Sequence, residues 1–127
     1  MQFTLALALA CSPCATGSAH NPLSVRQVVE NARALDGQKI VVTGWIEYCH
    51  RRSCPLFGSP EDVGAEWPYV LAIGRSSWFD AFARHNAPVR VTLLAKVNDL
   101  CITDPATRII AACADRSNTL EPIRLAR

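Results

Sequence analysis

The sequence lacks the patterns that identify the common catalytic and phosphate-binding sites. It contains neither a Gly-x-Ser-x-Gly turn, which would present a serine nucleophile, nor a glycine-rich phosphate loop. Its 13 basic and 11 acidic residues are scattered, so the net charge of +2 gives only weak support for a nucleic-acid partner. We therefore expect no enzymatic activity, no cofactor and no bound metal.

Proline and glycine, with 8 and 6 residues, are not abundant enough to indicate disorder. The chain has 127 residues and half of them are apolar. A chain of this size folds as one domain and buries roughly two-thirds of its unfolded surface.

The N-terminus lacks a basic region, because no Lys or Arg precedes Arg26. It nevertheless has an apolar stretch from Phe3 to Ala10, followed by small residues, which is typical of a secretory signal. This stretch is far shorter than the ~20 residues that a membrane span needs. We assign residues 1–19 to a signal or targeting segment and 20–127 to a single domain; a buried N-terminal helix is the alternative.

Six cysteines in so short a chain indicate an oxidising compartment. Two processing schemes fit the N-terminus. Cleavage after Ala19 would leave a soluble protein, whereas cleavage before Cys11 would resemble that of a bacterial lipoprotein and leave Cys11 lipidated. The first scheme gives a free domain, and the second tethers the domain to a membrane without spanning it.

A helix is predicted from Leu23 to Leu35. Ser24 is its expected N-cap, Gln27 is the capping-box partner, and Gly37 provides the C-terminal stop. One apolar stripe at helical spacing is expected to face the core, and it consists of Val25, Val28, Val29, Ala32 and Leu35.

The segment from Asp36 to Tyr48 combines this helix stop with a long first strand. Apolar residues alternate along the strand, and Gly44 occupies one position of the apolar row. A glycine inside a strand often marks a bulge or a bend. A strand bent there can pair with one neighbour before the bend and another after it, which helps a small barrel to close.

Four further strands are predicted after Tyr48. They cover residues 55–57, 69–74, 89–97 and 109–114, and a last extended piece covers 120–125. A short helix from Trp78 to about Arg84, capped by Ser77 and with Trp78 and Phe79 facing the core, lies between the third and fourth strands.

This order of elements resembles the OB-fold, a five-stranded Greek-key barrel. Residues Ser24 to Ile46 are similar to the start of small exported bacterial OB-like proteins, where a short helix leads into an Asp-Gly-Lys-type turn. A valine-rich strand then ends in glycine plus an aromatic or aliphatic residue, as at Gly44-Trp45. The resemblance implies a mainly β class, an OB-like barrel with an N-terminal helix and a short helix between strands 3 and 4. It also implies export, and it carries over no catalytic residue.

Cys49, His50 and Cys54 are residue types that bind metals, but zinc sites usually need two closely spaced pairs of ligands. In an exported chain, disulfides are the preferred interpretation. Four cysteines allow three connectivities. Since the OB resemblance implies ligand-binding loops between strands 1 and 2 and between strands 4 and 5, we predict the pairs Cys49–Cys54 and Cys101–Cys113, each of which closes one of these loops.

The same resemblance implies a ligand site on the face of strands 2 and 3 and the adjoining loops. The candidate ligand-binding residues are His50, Arg51, Arg52, Tyr69 and Arg108. Together the basic side chains would suit a carboxylate, a phosphate or an acidic protein surface; solvated loop charges are the alternative. Trp45 either stacks against a ligand on the outer face or packs under the N-terminal helix.

We therefore expect a non-enzymatic binding or interaction module of the bacterial cell envelope, located in the periplasm or attached by a lipid anchor. Its expected partner is an envelope protein or a small anionic ligand, and the expected state is a monomer. The alternative function is that of an OB-fold protein that binds single-stranded nucleic acid.

Overall fold

The computed structural model describes residues 15–49, 53–66, 69–74, 76–82, 88–98 and 120–126. Its strands are β1 (Leu23–Ser24), β2 (Lys39–Ile46), β3 (Ser53–Phe57), β4 (Val70–Gly74), β5 (Val89–Val97) and β6 (Leu120–Leu125). Its α-helices are α1 (Val25–Glu30), α2 (Ala32–Leu35) and α3 (Ser77–Phe82), and a 3-10 helix covers Pro60–Asp62.

Five of the strands form a closed mixed barrel. The order is β2-β3-β4-β6-β5, and β5 pairs back with β2 along Lys39–Ile46. The β4–β6 pair is parallel, whereas the other barrel pairs are antiparallel. The expected mainly β class is confirmed.

The N-terminal helix is shorter than predicted, because Leu23 and Ser24 pair in parallel with Val42 and Thr43 of β2. Helix α1 then starts with both bonds of the capping box: Gln27 N donates to Ser24 Oγ at 3.1 Å, and Ser24 N donates to Gln27 Oε1 at 2.8 Å.

The predicted single helix is also interrupted at Asn31, where the structure separates α1 from α2. The Asn31 side chain donates from Nδ2 to the Gln27 carbonyl oxygen at 2.9 Å. The Asn31 backbone amide donates to the same oxygen at 3.0 Å, and the break lies in the backbone of Asn31, whose φ of −116° and ψ of 19° are not helical.

Strand β2 changes its neighbour at Gly44. Before Gly44, Val42 and Thr43 pair with β1. After it, Trp45 pairs with Phe57 of β3. A Cβ atom at Gly44 would lie 2.7 Å from Leu56 Cγ and 2.8 Å from the Phe57 carbonyl oxygen. Close approach of neighbouring atoms therefore requires glycine here. The strand ends at Ile46, two residues before the predicted end.

Several boundaries differ from the predictions. Strand β3 starts at Ser53 rather than at residue 55, and β4 starts at Val70 rather than at residue 69. The hydroxyl that caps α3 belongs to Ser76 instead of Ser77, since Phe79 N donates to Ser76 Oγ at 3.3 Å. In that helix Phe79 is fully buried, but Trp78 is exposed and does not face the core as predicted.

The predicted strand at 109–114 lies outside the described residues, and β6 is the strand that closes the barrel in the described part of the chain. Leu94 pairs with Arg124, whereas Ala95 pairs with Pro122, so Ile123 is an extra residue at a bulge. Proline is tolerated in a strand at a bulge or an edge.

The core lies inside the barrel and extends to the helices. Buried residues from α1 and α2 (Val25, Val28, Ala32, Leu35) join the inward-facing residues of the strands and Phe79 of α3 in one cluster. Among the helices that the structure describes, none has the length and apolar character needed to cross a membrane.

Candidate ligand-binding site

Four neighbouring strands place a row of side chains on the outer face of the barrel. Trp45 of β2 pairs with Arg90 of β5 on one side and with Phe57 of β3 on the other. Phe57 in turn pairs with Val70 of β4. Cross-strand partners present their side chains on the same face of a sheet, so these four residues form a continuous group, which we call the outer row.

Aromatic packing makes the outer row compact. Phe57 is only 4% exposed, and its ring centroid lies 6.2 Å from that of Tyr48, which follows β2. Trp45 is half-buried, whereas Tyr48 and Val70 are exposed. The group therefore combines a packed centre with an accessible apolar margin, as interaction surfaces often do.

A polar network fixes one end of this row. Arg90 Nε donates to Thr43 Oγ1 at 3.2 Å, and Thr92 Oγ1 donates to the same oxygen at 3.0 Å. Thr43 Oγ1 donates in turn to the Val91 carbonyl oxygen at 3.2 Å. These bonds hold an exposed guanidinium group beside Trp45, where it can pair with an anionic ligand.

Tyr69 precedes Val70 in the chain, and its side chain lies on the α1 side of the sheet, opposite the outer row. Its ring lies under the guanidinium of Arg26 in α1, with 5.3 Å from Arg26 Cζ to the ring centroid. Arg26 also pairs with Glu30, Nε to Oε2, at 3.0 Å. The hydrogen bond to Glu30, and then the charge interactions with Tyr69 and Glu30, raise the pKa of Arg26 above its ordinary value, so it remains a cation.

Trp45 does not lie under the N-terminal helix. A Cβ atom on Gly44 would be 2.9 Å from Val25 Cγ2, which shows that α1 packs against the face of β2 that contains Gly44. Trp45 is the next residue and points to the opposite face. The interpretation that Trp45 packs under the helix therefore disagrees with this arrangement.

The predicted disulfide between Cys49 and Cys54 is present. Cys54 is fully buried in β3, and Cys49 is half-buried after β2. One carboxylate oxygen of Asp80, in α3, and the two sulfur atoms lie within 4.8 Å of one another. The disulfide thus connects the end of β2 to β3 next to α3.

Most of the predicted basic site lies outside the described residues, namely His50, Arg51, Arg52 and Arg108. The same is true of Cys101, Cys113 and the lipidation candidate Cys11. Of the predicted ligand-binding residues, the structure describes Tyr69, which is 40% exposed.

The segment before β1 is attached to the barrel. Val41 N donates to the Thr16 carbonyl oxygen at 2.8 Å, and Gly17 has a φ of 83°. A Cβ atom at Gly17 would lie 2.6 Å from the Val41 carbonyl oxygen. This segment also lines an open cavity of about 220 Å³, together with Leu23 and Gln27.

Sequence reasoning missed Arg90 and Thr43 as parts of the site. Alternation along β5 places Arg90 on the polar face of its strand, but it does not identify the partner strand. Only the register, which pairs Trp45 with Arg90, places the two residues on neighbouring strands of the same face. The helix pattern likewise marks Arg26 as exposed without indicating its contact with Tyr69.

Comparisons with family models, curated proteins and solved structures find no match to this chain.

Proposed function

We propose that this chain is an exported, OB-like binding module of the bacterial cell envelope that acts without catalysis. The observation that carries this proposal is the outer row, because it offers aromatic rings and the Arg90 guanidinium on one face of a closed barrel. Its partner is an envelope protein or a small anionic ligand.

The barrel supports the OB-like part of the proposal. A closed barrel of five strands is compatible with the OB-fold, as are the helix between β4 and β5 and the non-sequential pairs β4–β6 and β2–β5. In that fold, ligands meet the face of the second and third strands. Here those strands are β3 and β4, which contribute Phe57 and Val70 to the outer row.

The chemistry of this surface suits a ligand with both a flat apolar part and a negative charge. An aromatic ring stacks on the planar faces of bases and sugars, and for a nucleobase such stacking contributes roughly 1–3 kcal/mol. Arginine adds a planar cation that matches carboxylates and phosphates. The loop that the disulfide closes carries His50, Arg51 and Arg52 in its sequence and would add further positive charge.

The docked N-terminal segment favours one of the two processing schemes. Cleavage after Ala19 would remove Thr16 and Gly17 and so abolish their contacts with Val41. Cleavage before Cys11 would keep them. We therefore propose processing before Cys11, with a lipid on that cysteine.

A binding experiment with defined probes tests the proposal. The isotope-labelled protein is titrated with an acidic peptide, a soluble oligosaccharide and an oligothymidine, and amide shifts are followed by NMR. We expect one probe to shift the amides around Trp45, Tyr48 and Val70, and Val70→Ala to weaken its binding. Ile123→Ala is the matched control, because Ile123 is 39% exposed on β6 and outside the outer row. Shifts confined to other surfaces would contradict the proposal.

Nucleic-acid binding is the second candidate, and the combination of Trp45 with Arg90 is the observation that favours it. The salt dependence distinguishes the two functions. Binding of the oligothymidine that weakens steeply with added salt would support nucleic acid, since phosphate contacts release counterions. Absence of such binding, with retention of another probe, would support the envelope ligand.

A further inference from the structure

We propose that the reduced protein binds one thiophilic divalent cation, such as Zn²⁺, through Cys49 Sγ, Cys54 Sγ and the Asp80 carboxylate. The site goes beyond the proposed ligand-binding function and does not depend on it. It would make the disulfide a redox-controlled metal site, closed to metal when oxidised and open when reduced.

The placement of the three ligand atoms supports this site. They come from the end of β2, from β3 and from α3, and all lie within 4.8 Å of one another. Zn–S bonds of ~2.3 Å and Zn–O bonds of ~2.1 Å in a tetrahedron place the ligand atoms about 3.6–3.8 Å apart. After reduction, a side-chain rotation that separates the sulfurs would meet this requirement, and Asp80 is already within reach.

The sequence spacing and the local structure agree with the geometry. Cys49 and Cys54 form a Cys-x₄-Cys pair, and zinc ligand pairs have two to four intervening residues. Helix α3 is fixed beside them, because Phe79 is fully buried and the Asp80 amide donates to the Ser76 carbonyl oxygen at 2.8 Å. Asp80 is therefore held in position before any metal arrives.

The burial of these side chains favours binding of a cation. The Asp80 Oδ1 atom has almost no solvent access, and Cys54 is fully buried. Electrostatic attraction between a cation and anionic ligands increases when water is excluded. Three protein ligands leave a fourth position for water or another group, as in open zinc sites.

The redox step balances with a dithiol as the reductant. A thiolate of the dithiol attacks one protein sulfur, the Cys49–Cys54 bond breaks, and the second thiol of the reductant completes its own disulfide. Two electrons and two protons pass to the protein, which then holds two thiols. Binding of the divalent cation releases these two protons and forms two metal–thiolate bonds.

Cobalt(II) provides a direct probe, because thiolate ligation gives a sulfur-to-cobalt charge-transfer absorption. The full chain, with Cys11, Cys14, Cys101 and Cys113 replaced by serine, is reduced with dithiothreitol, freed of reductant under inert gas and titrated with Co²⁺. We expect this absorption to saturate at one equivalent in the reduced protein and to be absent from the oxidised protein. Zn²⁺ should then displace the cobalt and abolish the absorption.

Two variants distinguish a specific site that includes Asp80 from nonspecific binding of the metal to the two thiolates. Asp80→Asn should lower the Co²⁺ affinity at least tenfold, since even indirect supporting groups contribute 10–100-fold. Glu61→Gln, which changes an exposed carboxylate of the 3-10 helix, should leave it unchanged. Circular dichroism monitors folding throughout. The proposal is overturned if the reduced protein gives no charge-transfer absorption, whether folded or unfolded, or if Asp80→Asn binds Co²⁺ as tightly as the parent.

Discussion

The Val41 amide donates a hydrogen bond of 2.8 Å to the carbonyl oxygen of Thr16, which makes residues before β1 part of the folded barrel. On this edge β2 also pairs with β1, at Val42 and Thr43. The segment therefore covers backbone that would otherwise be an open strand edge.

A chain that starts at His20 should be less stable than one that starts at Ala15. The shorter chain loses the Thr16–Val41 bond, and a backbone hydrogen bond contributes about 1 kcal/mol net. Thermal melting measures the difference, and amide exchange at Val41 should become faster. Gly17→Val in the longer chain should act in the same direction, because its side chain would collide with the Val41 carbonyl oxygen. Equal melting temperatures and equal Val41 exchange would show that the segment contributes nothing.

Replacement of Gly44 should destabilise the domain in a graded way. Gly44→Ala places a methyl group against Leu56, Phe57 and Val25 in the core, and overpacking of this kind costs typically about 1–3 kcal/mol. Gly44→Val adds two further methyl groups and should cost more. Urea unfolding of both variants measures the free energies; if neither differs from the parent, Gly44 is not a position of close approach.

Removal of the Cys49–Cys54 disulfide should have a modest effect on stability. The loop that it closes is short, with a sequence separation of 5, so the chain-entropy estimate for its contribution is about 2 kcal/mol. Cys49→Ser with Cys54→Ser should lower the unfolding free energy by about this amount. Peptide mapping without reduction should also show the Cys49–Cys54 pair, and it tests the prediction of a Cys101–Cys113 pair; crossed pairs would refute both.

The arginines between Cys49 and Cys54 should affect ligand binding more than folding. Arg51→Ala with Arg52→Ala removes two charges from the short disulfide-closed loop, and changes of surface charge rarely alter stability by much. We expect weaker binding of the acidic peptide or the oligothymidine, whichever the parent binds, and a melting temperature close to that of the parent. Arg33→Ala is a suitable control, since Arg33 is an exposed cation on α2. Unchanged affinity would leave the basic site unsupported.

Sequence patterns predicted the helices and strands whose formation depends mainly on residues close together in the chain. The alternation from Val89 to Val97 gave β5, and the Ser24–Gln27 capping box is present with both hydrogen bonds. The Asn31 break was missed, because the apolar stripe continues through this position and gives no signal for the non-helical backbone angles of Asn31. The assignment of Leu23 and Ser24 to β1 depends on pairing with β2, which is a tertiary contact.

The candidate site was less predictable than the fold. The Cys49–Cys54 pair was predicted from the sequence and is present, while ligand binding by Tyr69 stays a prediction. The contact between Tyr69 and Arg26 joins residues more than forty positions apart. The alignment of Trp45 with Arg90 and Phe57 depends on strand register. Register is set by the closure of the whole barrel, so a single strand pattern does not determine it.

Site-specific photo-cross-linking in intact cells shows whether the outer row binds a partner in the cell envelope. A photoreactive residue is introduced at Val70, an exposed member of the outer row, and in a second variant at Lys96, which is exposed on the outer face near the other end of β5. We expect a discrete adduct in the envelope fraction for the Val70 variant and none for the Lys96 variant. Adducts of equal yield at both positions, or an adduct at Lys96 alone, would contradict the proposal.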